Sequence, residues 1–260
     1  MENKWKNKYK LIIWTITLVI VVCALIYRFG GVLNLGSNDD SVNMQEFDFT
    51  GEDVKRIVVE LDAANVEVSC GDKLSVSHNI PEKYAPEIKN NGGTLTVSQK
   101  SITANINSIA KNYKVEIVVP NDTFLDSLSI EADAGNAEVS LLNGDAIRIE
   151  IDKGNINISD SEFDSSILSA DMGNIQIESS NLGQMNYEVD MGNVSIKDSD
   201  ISTGEIVTDI GNITIDGNID YLYASSEIGS IEITTPNPEK EHLKLECEIG
   251  SASVNGEAWK

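Results

Sequence analysis

Seven carboxylates recur at one place in a repeating pattern. Asp133, Asp152, Asp171, Asp190, Asp209, Glu227 and Glu248 each lie two residues before a glycine, and Asp62 holds a comparable place earlier in the chain. Carboxylate oxygens are the ligands that hard divalent cations prefer, with calcium–oxygen distances of about 2.4 Å. If the segments stack as adjacent strands, neighbouring carboxylates come within roughly 5 Å and repel by about 1 kcal/mol in water. A calcium ion bridging two of them would relieve that repulsion, so a weak calcium ladder is one expectation. The competing expectation is structural: each Asp accepts hydrogen bonds from backbone N–H groups of the following turn, and the charge discourages edge pairing.

A second row follows the glycines: Asn136, Asn155, Asn174, Asn193 and Asn212. Asn tolerates left-handed backbone and can bond from one segment to the next, so this row is read as structural. No constellation for catalysis stands out. Glycoside hydrolysis needs two carboxylates in different environments, whereas these acids are uniformly repeated. Beyond residue 28 the arginines are Arg56 and Arg148, and the histidines of the whole chain are His78 and His242. Phosphate loop, nucleophile elbow and paired metal-binding histidines are all missing. The reading is therefore non-enzymatic, with no catalytic or cofactor-binding residue assigned; a glycan-active enzyme is the remote alternative.

The elements that must position these rows form a repeat. The segments AGNAEVS, KGNINIS, MGNIQIE, MGNVSIK, IGNITID, IGSIEIT and IGSASVN place glycines at 135, 154, 173, 192, 211, 229 and 250, with gaps of 19, 19, 19, 19, 18 and 21. Within each unit apolar residues alternate: Ile147, Ile149 and Ile151 precede Gly154, and Ile156 and Ile158 follow it. Period-two alternation denotes strands with one buried face, and the Gly-Asn step is a bend between two of them. One such unit cannot hide its apolar face alone, but stacked units hide each other's. The expected fold is all-β, a parallel β-solenoid (β-helix) of about 19-residue coils. The residues beside each ladder acid are expected to point inward and the acids outward. A β-sandwich is the alternative; it calls for antiparallel hairpins and does not require a constant offset.

Boundaries follow from composition. Residues 1–29 form a basic stub and an apolar run, 30–46 a tether rich in Gly, Ser, Asn and Asp, 47–125 irregular β coils or a cap, and 126–260 the regular solenoid. In the irregular part Ile57, Val59, Leu61, Val66 and Val68 fit the template around Ala64-Asn65. KLSVS, TLTVS and KVEIVVP read as strands of the cap, and 78–93 and 99–112 as polar loops. After Val254 only NGEAWK remains, and Trp259 is expected to fold over the last coil.

The order VKRIVVELDAANVEVSCGD, then KVEIVVPNDTFLDSLSIEADAGNAEVS, then repeated strand-Gly-Asn-strand units resembles the "putative adhesin" family of β-strand-repeat domains in bacterial cell-surface proteins, a domain of unknown function, over about residues 47–255. The resemblance implies a β-helical fold, an envelope location, and a link to adhesion or envelope stress. It supplies no catalytic residue.

Leu11 to Tyr27 reads LIIWTITLVIVVCALIY, without charge or proline. At about 1.5 Å per residue it spans roughly 26 Å, so a single N-terminal transmembrane helix is expected. Lys4, Lys6, Lys8 and Lys10 precede it, which keeps the N-terminus cytoplasmic and the rest extracytoplasmic. A cleaved signal peptide is the competing reading. The net charge is -23 over the whole chain and -27 beyond residue 28, which opposes nucleic-acid binding. Cys23, Cys70 and Cys247 form no metal-binding cluster. The expected role is a membrane-anchored surface-binding or adhesion module with a surface polymer as partner. A sensor or regulatory partner of another envelope protein is the alternative.

Overall fold

The computed structural model describes residues 44–99, 113–236, 238 and 241–259. The membrane helix expected over 11–27 and most of the tether lie outside these. Among the described residues no helix is long and apolar enough to cross a membrane.

The irregular part contains β1 (Gln45–Asp48), β2 (Arg56–Ala63), β3 (Asn65–Gly71), β4 (Ser75–His78), a 3₁₀ turn (Glu82–Tyr84), β5 (Glu87–Asn91), β6 (Thr94–Ser98) and β7 (Lys114–Pro120). Long and short strands then alternate: β8 (Phe124–Ala134) and β9 (Ala137–Ser140), β10 (Asn143–Lys153) and β11 (Ile156–Ser159), β12 (Glu162–Met172) and β13 (Ile175–Glu178). The alternation continues through β14 (Gln184–Met191), β15 (Val194–Lys197), β16 (Ile201–Ile210) and β17 (Ile213–Asp216). β18 (Ile219–Thr234) and β19 (Leu243–Val254) each run through both positions, and β20 (Glu257–Ala258) ends the series.

Long strands pair in parallel with long and short with short, at the offset of the sequence repeat. Ile147 pairs with Leu128 on one side and Ser166 on the other, and Ile156 pairs with Ala137 and Ile175. This is the expected parallel β-solenoid, and it excludes the β-sandwich. Inward residues form continuous columns such as Val68, Val139, Ile158, Ile177, Ile196, Ile215, Ile233 and Val254, all buried. Each such side chain contributes about 1.5–3 kcal/mol on leaving water. No single coil encloses its own column residue, so stability accrues between neighbours.

Two features of the irregular part depart from the sequence reading. The 78–93 segment expected as a loop contains β5, which pairs antiparallel with β6. The spatial order of the early coils also differs from their chain order. β2 lies between β6 and β8, and β3 between β7 and β9, so the β6–β7 coil stacks outside the β2–β3 coil although it follows in sequence. Antiparallel strands close that end, with β4 on β7 and β1 on β4. At the far end Asn255 (φ 51) and Gly256 (φ 79) form a tight turn that folds β20 back antiparallel onto β19, and Trp259 packs against the core. Asn-Gly is the residue pair that suits a two-residue hairpin with φ positive at both positions.

Candidate binding surfaces

The acidic row lies where the strand pairing skips a residue. Asp152 sits between the paired Ile151 and Lys153, at the end of the long face, and its equivalents behave alike. All seven carboxylates are exposed, as expected. Partial desolvation at the sheet surface, then the neighbouring Asp152 and Asp62 carboxylates, push the Asp133 carboxyl above the usual aspartate range. Each coil contributes one carboxylate to the row, and among the described residues no group of three or more His, Cys, Asp or Glu converges as a metal centre. A bridging ion would therefore take most of its six to eight oxygens from water.

The parity around these acids differs from expectation. The residue before each acid is buried (half-buried at Cys247), but from Lys153 onward the residue after it faces solvent. Met172 (39% exposed), Met191, Ile210, Ile228 and Ile249 (65%) thus form an exposed apolar ridge, one residue per coil and in direct register. The reason is the corner. Two successive residues point outward before the chain turns at glycine, so strict alternation ends two positions early.

At the corner Gly154 has φ 151, and a Cβ there would collide with the carbonyl oxygen of Gly135 one coil away. The asparagines close the turn as a continuous chain of bonds. Asn155 donates from its backbone N–H and its side-chain amide to Asn136 Oδ1 at 2.9 and 3.1 Å, and the same pair of bonds repeats through Asn174, Asn193 and Asn212. Asn65 extends the row at one end and Ser230 at the other. The opposite corner carries a serine row that the sequence reading missed. The backbone N–H of Ser161 donates to Ser180 Oγ, and that of Ser180 to Ser199 Oγ. The 19-residue spacing of these buried serines was the available signal. Cys70 and Cys247 are free thiols on β3 and β19, far apart in the stack.

The outer side of the long strands combines depth with varied chemistry. Two outward files run across β12, β14, β16 and β18: Ser165, Gln184, Thr203 and Tyr221, then Ile167, Asn186, Glu205 and Tyr223. Between them, along the backbone of Ser166, Met185, Gly204 and Leu222, lies an open groove of about 600 Å³. The aromatic end is built from Tyr221, 53% exposed, whose ring lies 4.2 Å from that of His242. Tyr223 is held in place by Glu246 and Lys244. Its hydroxyl donates to Glu246 at 2.9 Å, Lys244 Nζ sits 4.6 Å from its ring centre, and Lys244 bridges Glu246. Beneath the floor Ser166 Oγ donates to the Leu182 carbonyl and lies 2.9 Å from the fully buried Tyr187 hydroxyl, which stiffens this stretch of sheet. Sequence reasoning missed the groove because its residue types differ at every coil; only the register brings them together.

No curated protein matches the chain. Solved structures with a similar course include a "putative lipid binding protein" of Parabacteroides distasonis ATCC 8503, 20% identical, with a TM-score of 0.48 over 82% of this chain and 96% of that one. A "putative adhesin" of Bacteroides fragilis NCTC 9343 is 13% identical, TM-score 0.45, over 82% and 96%. A "putative cell adhesion protein" of Clostridium sporogenes ATCC 15579 is 12% identical, TM-score 0.42, over 82% and 98%. A family profile covers residues 54–258, nearly all the strands described above, and the chain belongs to that family, Toastrack DUF4097.

Proposed function

We propose that the protein is a non-enzymatic surface-binding module of the cell envelope, held at the membrane by residues 11–27, which grips an extended polymer along its long face. The observation that carries the reading is the groove flanked by Gln184, Asn186, Thr203 and the Tyr221–Tyr223 pair. It is open at its ends and crosses several strands, so it suits a chain rather than a compact small molecule. Its donors and acceptors are mainly amides and hydroxyls, with Glu205 and His242 among them. The full chain in detergent micelles, titrated with purified envelope polysaccharide, should bind it, and a Tyr221→Ala, Ile167→Ser double variant should not. Equal retention by both proteins, or by neither, overturns the reading. Membrane placement has its own check: protease added to intact cells should remove the solenoid while cytoplasmic proteins survive.

A second reading, partnership with another envelope protein, is favoured by the apolar ridge from Met172 to Ile249. A photo-crosslinker at Ile210 would then capture one defined protein in cells, whereas the same group at Thr214 on the short face would not.

A further inference from the structure

We propose that the occupant of the long-face groove is a glycan bearing free amino groups, an inference that rests on the surface-binding reading above and names its ligand class. Three observations lead there. The lining alternates apolar surface with planar amides and hydroxyls: Ile167, Tyr221 and Tyr223 beside Gln184, Asn186 and Thr203. A sugar ring presents the matching pair, an apolar C–H face that stacks on an aromatic ring and an equatorial rim of hydroxyls that bonds to amides.

The second observation is the direction of the groove. It runs across the strands, so each coil presents one outward residue of each file at the strand spacing of about 4.8 Å. Pyranose units of a β-linked glycan recur at a comparable interval, so successive rings meet successive coils. An extended peptide in this position gains no main-chain pairing, because β14 and β16 are each bonded to a strand on both sides.

The third is charge. Glu205 stands in the groove with Glu188 on the neighbouring file and Asp164 and Asp220 at the adjacent corner, all exposed. Two cations lie near: Lys244 is engaged by Glu246, and Arg148, beside Ile167 in the same file, by Glu150. On a chain of net charge -23 this field repels a polyanion and favours an ammonium group beside Glu205. A uronate or phosphate polymer is the wrong occupant by the same argument.

The experiment uses the full chain in detergent micelles at physiological ionic strength, which screens diffuse attraction between charges. Three probes are titrated: glucosamine hexamer, N-acetylglucosamine hexamer and galacturonate hexamer. The glucosamine hexamer should bind about tenfold or more tighter than its acetylated counterpart, and the galacturonate hexamer should not bind. Tyr221→Ala should weaken the glucosamine hexamer by about tenfold with an unchanged melting temperature. Glu205→Gln should bring the amino and acetylated hexamers to similar affinity. Preference for the galacturonate hexamer, or amino-sugar binding indifferent to both substitutions, overturns the proposal. Tyr221-dependent binding of the galacturonate hexamer would reject the amino-glycan assignment and leave the groove standing. If Tyr221→Ala alters the binding of none of the three probes or of envelope polysaccharide, the assignment and the surface-binding reading fail together.

Discussion

Leu141 occupies left-handed backbone at φ 61 and exposes 55% of its surface, while Asp160, Ser179 and Asp198 take the same conformation one coil apart. A branched apolar side chain is poorly suited there, and Asn suits it well. Leu141→Asn should therefore stabilise the protein by about 1 kcal/mol, seen as a higher midpoint in urea denaturation. Asp133 makes the opposite kind of strain visible. Its carboxyl is harder to ionise in the folded protein than in the unfolded chain, chiefly through partial desolvation and then through Asp152 and Asp62. At neutral pH that costs stability, and the cost fades as pH falls through the folded value toward about 4. Asp133→Asn should raise the melting temperature at pH 7, with the gain shrinking as the solution is acidified. His78 responds in the other direction. It is fully buried, it stacks on Phe47 at 5.8 Å, its Nδ1 accepts from the Ile80 N–H, and its Nε2 has no partner among the described residues. Burial holds its pKa below the ordinary 6.5, so the unfolded chain takes up the proton first. Stability is whole above about pH 6.5 and declines below it. His78→Gln should flatten that decline between pH 7 and 5 in thermal melts. None of these three environments was legible in residue type, because each depends on a backbone angle or on a neighbour distant in sequence.

The coil is the element that sequence reveals best. Its 19-residue period, its glycine bend and its asparagine row are all visible in the spacing of a few residue types, since the same packing problem recurs at every layer. Gly154 shows how strict that problem is: the corner brings one backbone to within contact of the next, and the space for a Cβ is already filled by the Gly135 carbonyl. Gly154→Ala should cost about 3 kcal/mol or more, combining clash with an unfavourable φ, and should appear as a lower midpoint in denaturant. The exposed placement of Met172, Met191 and Ile210 was not legible for a related reason. Alternation counts residues along a strand, but a corner inserts a second outward position that hydrophobicity alone does not mark.

At the scale of the molecule the two ends of the stack are closed by different devices. β4 and β1 turn antiparallel over the N-terminal end, while the Asn255–Gly256 turn, β20 and Trp259 close the short-face side of the last coil. Removing residues 256–260 should uncover Val254 and the adjoining strand edge. We expect a lower melting temperature and concentration-dependent association by light scattering; an unchanged monomer would contradict this. Trp259 made this closure legible, whereas the Asn255–Gly256 hairpin and the reversed order of the first two coils were not read from the sequence. Nothing in the local pattern of Ile57 to Val68 distinguishes an outermost layer from an inner one.

That reversed order has a mechanical consequence. A pull applied through residue 44 meets β1 and then β2–β3, which is clamped between the β6–β7 layer on one side and β8–β9 on the other. Ordinary stacking would let tension peel layers away singly from the leading end. Here the first full layer to feel the load must slide out from between two others, rupturing both ladders at once, so this end of the stack yields to a pull less readily than a singly stacked layer would.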